Sequence, residues 1–141
     1  MTSPTPNDLW ITYSDGAARG NPGPSSYGAV VIDPTGKVVR EIGETLGYTT
    51  NNIAEYRGLI AALEGALELG AKRVEARMDS ELLQRQATGR YRVKNEGLIP
   101  LHRRVMDLAS QFDRVSFVHV PRAQNKLADA LANQALDEAA P

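Results

Sequence analysis

The sequence predicts a single α/β domain in which helices flank a five-stranded mixed sheet. Three strand-like segments precede the first helix, and two further strands alternate with helices, which gives the order β-β-β-α-β-α-α-β-α. Strands that follow one another directly form an antiparallel meander, whereas strands linked through helices usually run parallel, so we expect a mixed sheet. A chain of 141 residues with 42% hydrophobic residues suits one core and is too short for a second domain.

The first third of the chain has strand periodicity. The segment 9–15 alternates its side chains as a strand does and stops at Gly16, so Asp15 is predicted to be the last residue of the first strand. An apolar run at Tyr27–Ile32 and an extended segment at Val38–Leu46 flank a stretch with tight-turn composition. These three strands are predicted to form the antiparallel meander.

Helical periodicity begins after the meander. Thr50–Leu69 carries apolar residues at spacings of three and four, with Thr50 or Asn51 able to cap its start and Gly70 closing its end. The domain is expected over residues 9–138, after a flexible N-terminus at residues 1–8. The remaining elements are a strand at Arg73–Asp79, a short helix from the cap Ser80 to about Thr88, a helix that Pro100 opens, a β-branched strand at Val115–Val120 and an alanine-rich helix at Gln124–Ala139.

Composition excludes several classes of protein. The net charge is −1, so bulk charge names no partner, and the absence of cysteine excludes a disulfide scaffold, a thiolate zinc site and a cysteine nucleophile. The polar, proline-containing start does not resemble a signal peptide, and no apolar run approaches the ~20 residues of a membrane span. We therefore expect a cytoplasmic protein that does not enter a membrane.

Positive charge is concentrated in one part of the chain. Residues 72–126 hold twelve Lys and Arg against six Asp and Glu. The densest stretch is the basic cluster of Arg90, Tyr91, Arg92 and Lys94, in which an aromatic residue lies among cations. Such a cluster suits a nucleic-acid backbone, although a solvated surface loop would have the same composition.

Four acidic residues are candidates for a site. Glu55 falls on the apolar side of its helix and is predicted to point toward the sheet, unless its head reaches water at the rim of the core. Asp15 and Asp79 each lie at a predicted strand end, where α/β sheets bind ligands, but turn or cap residues also occur there. Asp129 lines up with Asn125 and Asn133 and could belong to a solvated helix stripe.

Five short motifs occur in order on the predicted elements. They are Thr12-Tyr13-Ser14-Asp15-Gly16-Ala17, Gly20-Asn21-Pro22-Gly23, Thr50-Asn51-Asn52-Ile53-Ala54-Glu55, Asp79-Ser80 and Asn125-Lys126-Leu127-Ala128-Asp129. Each is weak alone, but the ordered set resembles type 1 ribonuclease H in its compact archaeal and bacterial form. The resemblance covers about Leu9 to Leu136 and implies the ribonuclease H-like fold, whose first three strands are antiparallel.

The resemblance implies an endoribonuclease that hydrolyses the RNA strand of RNA/DNA hybrids. Asp15, Glu55, Asp79 and Asp129 would together hold two Mg²⁺ ions, with Mn²⁺ as an alternative. Carboxylates suit this role because Mg²⁺ prefers hard oxygen ligands. Two ions roughly 4 Å apart would support an in-line displacement that leaves 5′-phosphate and 3′-hydroxyl ends.

The resemblance also implies a division of substrate contacts. Asn21, Asn51 and Asn52 match positions that contact the 2′-hydroxyls of the RNA strand, although asparagines also serve as turn and cap residues. Thr50 and Asn95 match positions that hold a phosphate of the DNA strand. The expected partner is an RNA/DNA hybrid, and the protein is expected to be a monomer.

The sequence departs from the family pattern in three places. An arginine often found two residues before Thr50 is Tyr48 here, and the basic protrusion of larger members is absent, which makes the basic cluster its substitute. The mobile histidine before the fourth acid is also missing, and Arg122 occupies that short loop, so Arg122 is predicted to lie over the active site. His119 is predicted to be a core or strand-end residue.

Two other functions remain open at the level of sequence. A non-catalytic hybrid-binding module on the same fold would be expected to lose a carboxylate, yet all four are present. A different nuclease of the same fold would need other motif spacings and usually added domains. Both alternatives predict the same fold, so only the site and its chemistry separate them.

Overall fold

The computed structural model describes residues 8–140 and confirms the predicted order of elements. The predicted flexible N-terminus lies outside the described residues apart from Asp8, which accepts a hydrogen bond from Arg73 at 2.8 Å. The strands are Leu9–Ala18 (β1), Gly23–Ile32 (β2), Val38–Thr49 (β3), Arg73–Met78 (β4) and Arg114–His119 (β5). The helices are Asn51–Glu68 (α1), Glu81–Ala87 (α2), Ile99–Ala109 (α3) and Lys126–Ala139 (α4), with a 3₁₀ turn at Arg122–Gln124.

The strands form one five-stranded mixed sheet in the order β3-β2-β1-β4-β5. The meander of β1, β2 and β3 is antiparallel, whereas β4 runs parallel to β1 and β5 runs parallel to β4. A parallel neighbour requires a crossover, and α1 supplies it between β3 and β4. The predicted mixed sheet is therefore confirmed.

The end of β1 differs from the prediction. β1 does not stop at Gly16 but continues to Ala18, because β2 begins early enough for Ala18 to pair with Ser25. The parallel ladder with β4 ends sooner, at the pair of Ser14 and Met78. Asp15 is thus the first residue of β1 beyond that ladder, while its other side still pairs with β2.

The larger core lies between the sheet and α1 to α3. Leu59 and Leu63 of α1 are fully buried and belong to one apolar cluster with Val74 and Met78 of β4. Burying each such side chain contributes roughly 1.5–3 kcal/mol. The Thr50 hydroxyl caps α1 by accepting a hydrogen bond from the Ile53 N–H at 3.3 Å. This packing fixes the first turn of α1 at the end of the sheet.

The helix α4 covers the opposite face of the sheet, and its backbone directly approaches the backbone of β2. A Cβ at Gly28 of β2 would overlap the carbonyl oxygen of Ala128, so only glycine permits this approach. Further along the helix, the Ser26 hydroxyl donates to the carbonyl of Ala132 at 2.5 Å. The two contacts hold α4, and with it Asp129, against the meander.

Among residues 8–140, no helix is both long enough and apolar enough to cross a bilayer.

Candidate active site

A polar cleft of about 560 Å³ opens at the ends of β1 and β4. It lies between the start of α1 on one face of the sheet and the start of α4 on the other. The structure brings all four predicted carboxylates and Arg122 to its walls. Its lining consists of Asp15, Gly16, Ala17, Ala18, Asn51, Asn52, Glu55, Asp79, Ser80, Arg122, Asp129 and Asn133.

Three of the carboxylates form a tight group. One oxygen from each of Asp15, Glu55 and Asp79 lies within 4.8 Å of the other two. Asp15 is held by β1, and Asp79 follows β4 directly, where Ser80 caps α2 by accepting a hydrogen bond from the Leu83 N–H at 3.2 Å. Three hard oxygen donors at this spacing suit Mg²⁺ or Mn²⁺.

Glu55 reaches this group because α1 approaches β1 very closely. A Cβ at Gly16 would overlap the backbone nitrogen of Glu55, so the glycine after Asp15 admits the helix. The Glu55 oxygen Oε2 is buried and has no hydrogen-bond partner among residues 8–140. An orphaned carboxylate oxygen in a cleft of acids is costly unless a proton or a cation satisfies it, so the residues present fit a bound cation.

Electrostatics supports the same conclusion. Burial, and then repulsion by Asp79, raises the pKa of Asp15 to about 8, although the Gly16 N–H donates to its carboxylate at 2.9 Å. Burial, and then repulsion by Asp15, also raises the pKa of Glu55 well above its ordinary value. Without a cation, Asp15 and Glu55 relieve the repulsion by holding protons.

Asp129 lies on the α4 wall, outside the group of three. The Asn133 amide donates to the Asp129 carboxylate at 3.2 Å and to its backbone carbonyl at 3.0 Å. The Arg122 guanidinium is 4.0 Å from the same carboxylate, and its side chain is 83% exposed. Asp129 and Asn133 therefore line the cleft and do not form a merely solvated stripe.

The asparagines expected to contact the RNA strand are only partly in the cleft. Asn51 and Asn52 begin α1 and line the cleft, whereas Asn21 lies beside them and is not part of its wall. The Asn21 side-chain oxygen accepts a hydrogen bond from the Asn51 backbone N–H at 3.1 Å. The Asn21 oxygen is thus engaged in the fold, and its amide N–H groups are the ones it offers to a ligand.

The residues expected to hold a DNA phosphate also have structural partners. The Thr50 hydroxyl caps α1, and the Asn95 side-chain oxygen accepts from the Gly97 N–H at 2.8 Å. Tyr48, at the position of the expected arginine, is 75% exposed near the end of β3. Its exposure leaves most of the aromatic side chain open to a ligand.

The basic cluster lines a separate depression of about 490 Å³ between α2 and α3. Arg90, Tyr91 and Arg92 form part of its wall, and Lys94 does not. Arg85 of α2 holds Tyr91 by donating to its hydroxyl at 2.5 Å, with the guanidinium 5.1 Å from the ring centroid. The carboxylates of the cleft do not contribute to this second depression.

Two cleft residues with polar side chains are not identified as site residues by the sequence. Ser80 is predicted there only as a helix cap, and Asn133 only as part of a polar stripe. The signal for Asn133 is its position one helical turn after Asp129, which places both side chains on one face. His119 ends β5 and is exposed, as expected for a strand-end residue.

Comparisons with known proteins identify relatives of this chain. The family model described as reverse transcriptase-like matches residues 13–135. The chain is 49% identical to ribonuclease HI of Halobacterium salinarum, over 90% of this chain and 64% of that protein. It is 33% identical to ribonuclease H of Thiobacillus denitrificans, over 94% of this chain and 96% of that protein.

A longer relative shows that such a domain also occurs within larger proteins. The chain is 49% identical to a bifunctional protein of Mycobacterium tuberculosis over 92% of its own length, but it spans only 36% of that protein.

Solved structures agree with this relationship. RNase H1 from Halobacterium salinarum superposes with a TM-score of 0.90 at 47% identity, over 93% of this chain and 99% of that one. LC11-RNase H1, solved in complex with an RNA/DNA hybrid, superposes with a TM-score of 0.86 at 43% identity, over 92% of this chain and 98% of that one.

The raised pKa of Asp15 predicts how the stability of the metal-free protein depends on pH. The folded state retains a proton on Asp15 that the unfolded chain releases near its ordinary pKa of 3.8. The free energy of unfolding should therefore fall as pH rises from about 4 to about 8, by at most about 1.4 kcal/mol per pH unit for one proton.

Asp15→Asn should remove the loss of stability that ionisation of Asp15 causes, because the amide stays neutral. In EDTA the variant should melt at a higher temperature than the parent near pH 8 and at a similar temperature near pH 4. Asp107→Asn, at an exposed position in α3, is the matched control and should follow the parent at both pH values. Equal melting temperatures for Asp15→Asn and the parent near pH 8 would contradict the prediction.

Proposed function

The chain belongs to the ribonuclease H family, and we propose that it is a metal-dependent endonuclease that hydrolyses the RNA strand of RNA/DNA hybrids. The observation that carries this proposal is the group of Asp15, Glu55 and Asp79, whose oxygens lie within 4.8 Å of one another beside Asp129. A module that only binds hybrids gains nothing from burying like charges together, because their repulsion costs stability. A hydrolase gains a cation site from the same arrangement.

The protein supplies the ligands and the shape of the site. Asp15, Glu55, Asp79 and Asp129 would hold two Mg²⁺ ions when substrate is present, and Mn²⁺ suits the same oxygen donors. The bound metal would supply Lewis-acid activation of water and stabilisation of the leaving 3′ oxygen, so that the products carry 5′-phosphate and 3′-hydroxyl ends. The sheet and α1 hold three of the ligands on rigid elements, which reduces the reorganisation needed at the reacting phosphate.

Arg122 provides a permanent positive charge at the rim of the cleft. Its guanidinium lies 4.0 Å from Asp129 and is largely exposed, so it is free to contact the scissile phosphate or the departing 5′-phosphate. Arginine remains charged at all relevant pH values and therefore does not shuttle a proton. Its role is electrostatic stabilisation of added negative charge.

Recognition of RNA depends on the sugar. A hybrid presents 2′-hydroxyls in a wide, shallow minor groove, where short amide side chains reach them. Asn51 and Asn52 offer such amides at the wall of the cleft, and Asn21 adds its N–H donors beside them. A 2′-hydroxyl accepts these hydrogen bonds, whereas a deoxyribose leaves the amides unpaired.

The DNA strand requires contacts away from the metal site. Thr50 and Asn95 would hold one of its phosphates, and the basic cluster would hold others. The separation of the cluster from the cleft supports this division, because the two backbones of a duplex lie apart, on either side of the minor groove. Tyr91 is half-exposed and fixed by Arg85, which suits stacking on a sugar.

The assigned activity can be tested with Asp79→Asn. The change should reduce cleavage of a labelled RNA/DNA hybrid by at least about a hundredfold, because the amide keeps the shape and loses the charge that holds the metal. Hybrid binding should change by less than about threefold. The measurements are single-turnover cleavage in Mg²⁺ and an equilibrium binding titration.

Suitable controls separate chemistry from folding. Asp107→Asn should cleave as the parent does, and double-stranded RNA and DNA duplex should be tested beside the hybrid. EDTA should stop cleavage while circular dichroism shows an intact fold. If Asp79→Asn turns over within tenfold of the parent, the carboxylate assignment is wrong.

Arg122→Ala should lower turnover about tenfold or more without abolishing it, since one charge at the phosphate is removed while the metal ligands remain. Arg122→Lys should recover part of the rate because it restores the charge without the guanidinium geometry. Initial rates across pH should give parallel profiles for the parent and Arg122→Ala. A rate equal to that of the parent would make Arg122 a surface residue.

Replacing Arg90, Arg92 and Lys94 by alanine should raise KM much more than it lowers kcat, because these residues lie outside the cleft. The slope of log K against log salt should flatten by up to about 0.9 for each phosphate that the variant no longer neutralises. Binding is measured in the Asp79→Asn background at several salt concentrations. The triple change Lys37→Ala, Lys72→Ala and Arg114→Ala, at exposed positions at the opposite end of the sheet, is the control. An unchanged slope in the cluster variant would identify a solvated loop.

A further inference from the structure

A buried asparagine joins β1 to the start of α4 at the edge of the cleft. The ladder between β1 and β4 ends at Ser14, immediately before Asp15. At this point the Asn125 amide donates to the Ser14 carbonyl at 2.9 Å. The Asn125 side chain is buried, with 1% exposed. It supplies Ser14 with a hydrogen-bond donor at the point where the pairing with β4 ends.

The backbone of Asn125 also begins α4. Its N–H donates to the carbonyl of Arg122 at 3.0 Å, and its carbonyl accepts from the Asp129 N–H at 3.1 Å. Asp129 therefore follows Asn125 by one helical turn, and Asp15 follows Ser14 by one residue. One side chain thus ties together the two segments that carry these carboxylates.

The two close contacts of α4 with β2 do not replace this connection. The approach of Ala128 to Gly28 sets the distance of the helix from β2, and Ser26 contacts the helix at Ala132. Both contacts are to the second strand of the meander. The link from Asn125 to Ser14 ties the first turn of α4 to β1, which carries Asp15.

We propose that Asn125 is a positioning residue that fixes the Asp129 carboxylate relative to Asp15 and so completes the metal site, an inference that rests on the proposed function. The cost of the arrangement supports it. The Asn125 oxygen is buried without a hydrogen-bond partner within residues 8–140. A half-satisfied buried amide is a poor anchor for stability alone, and such exceptions to good packing are found where function requires a geometry.

The first test compares Asn125→Ala with Val105→Ala. Val105 is a fully buried residue of α3, so its truncation disturbs the core without touching the cleft. On a hybrid at saturating Mg²⁺, Asn125→Ala should lower kcat by about tenfold or more and leave KM within about threefold. Val105→Ala should retain the parent kcat at a temperature where both variants are folded.

A double-mutant cycle shows whether the effect passes through Asp129. In an Asp129→Ala background, adding Asn125→Ala should change the single-turnover rate by less than about twofold, because the carboxylate that it positions is already absent. If Asn125→Ala lowers the single-turnover rate by the same factor in the parent and in the Asp129→Ala background, the proposal is wrong. If Asn125→Ala does not fold, Asn125→Ser, which retains a short hydroxyl donor, takes its place in every comparison.

A measurement without substrate gives an independent readout. Mn²⁺ added to the ¹⁵N-labelled protein should broaden the amide signals of both Asp79 and Asp129 in the parent. In the Asn125 variant the broadening at Asp129 should weaken while that at Asp79 persists, since only the α4 wall has moved. The broadening at both residues should be unchanged in Val105→Ala.

The outcomes distinguish this inference from the function on which it rests. A parent protein that neither cleaves hybrid nor shows Mn²⁺ broadening would refute the proposed function. A parent that does both, with an Asn125 variant equal to Val105→Ala in kcat and in Mn²⁺ broadening, would make Asn125 a residue of the fold only.

Discussion

Repulsion among buried carboxylates at the end of the sheet constrains how the surrounding elements pack. Asp15, Glu55 and Asp79 place oxygens within 4.8 Å of one another, and burial raises the pKa of Asp15 to about 8. If all three carboxylates were ionised, their repulsion would push the surrounding elements apart. The group persists because packed elements carry the acids, and because Asp15 and Glu55, whose pKa values burial raises, can hold protons when no cation is bound.

The two faces of the sheet contribute differently to that rigidity. The core beneath α1 is large and apolar, and Gly16 lets the helix backbone reach β1, so Glu55 is held deep in the cleft. Within residues 8–140, α4 is the one helix on the other face, and its position depends on the close approach at Gly28 and on buried polar contacts. On this wall the Arg122 side chain is largely exposed, and the Asp129 side chain is about one-third exposed.

The surface outside the cleft suits a ligand with two strands. In the proposed function, the acidic cleft would bind cations that contact the reacting phosphate, whereas the basic cluster would contact phosphates directly. The asparagines at the start of α1 belong to neither charge class and are suited to hydroxyl groups. Negative charge is concentrated in the cleft and positive charge at the basic cluster. A net charge of −1 is therefore compatible with a nucleic-acid substrate.

Local patterns in the sequence predict the elements and their order, and the four acids singled out from the sequence meet in one cleft. Periodicity distinguishes strands from helices, and the phase of α1 put Glu55 on its apolar side, because both patterns are local and repeat over many residues. The same reasoning assigns Asn133 to a solvated stripe, because helix phase indicates which side chains share a face and not what that face meets.

The packing of the elements sets where β1 ends, since Ala17 and Ala18 are strand residues through their pairing with β2. It also decided that Asn125 replaces a strand partner at Ser14, that Asn21 uses its oxygen internally and that the basic cluster lies apart from the cleft. Each of these facts depends on contacts between residues distant in sequence. Such contacts leave no periodic signal, because they arise from how the elements pack and not from the pattern within any one of them.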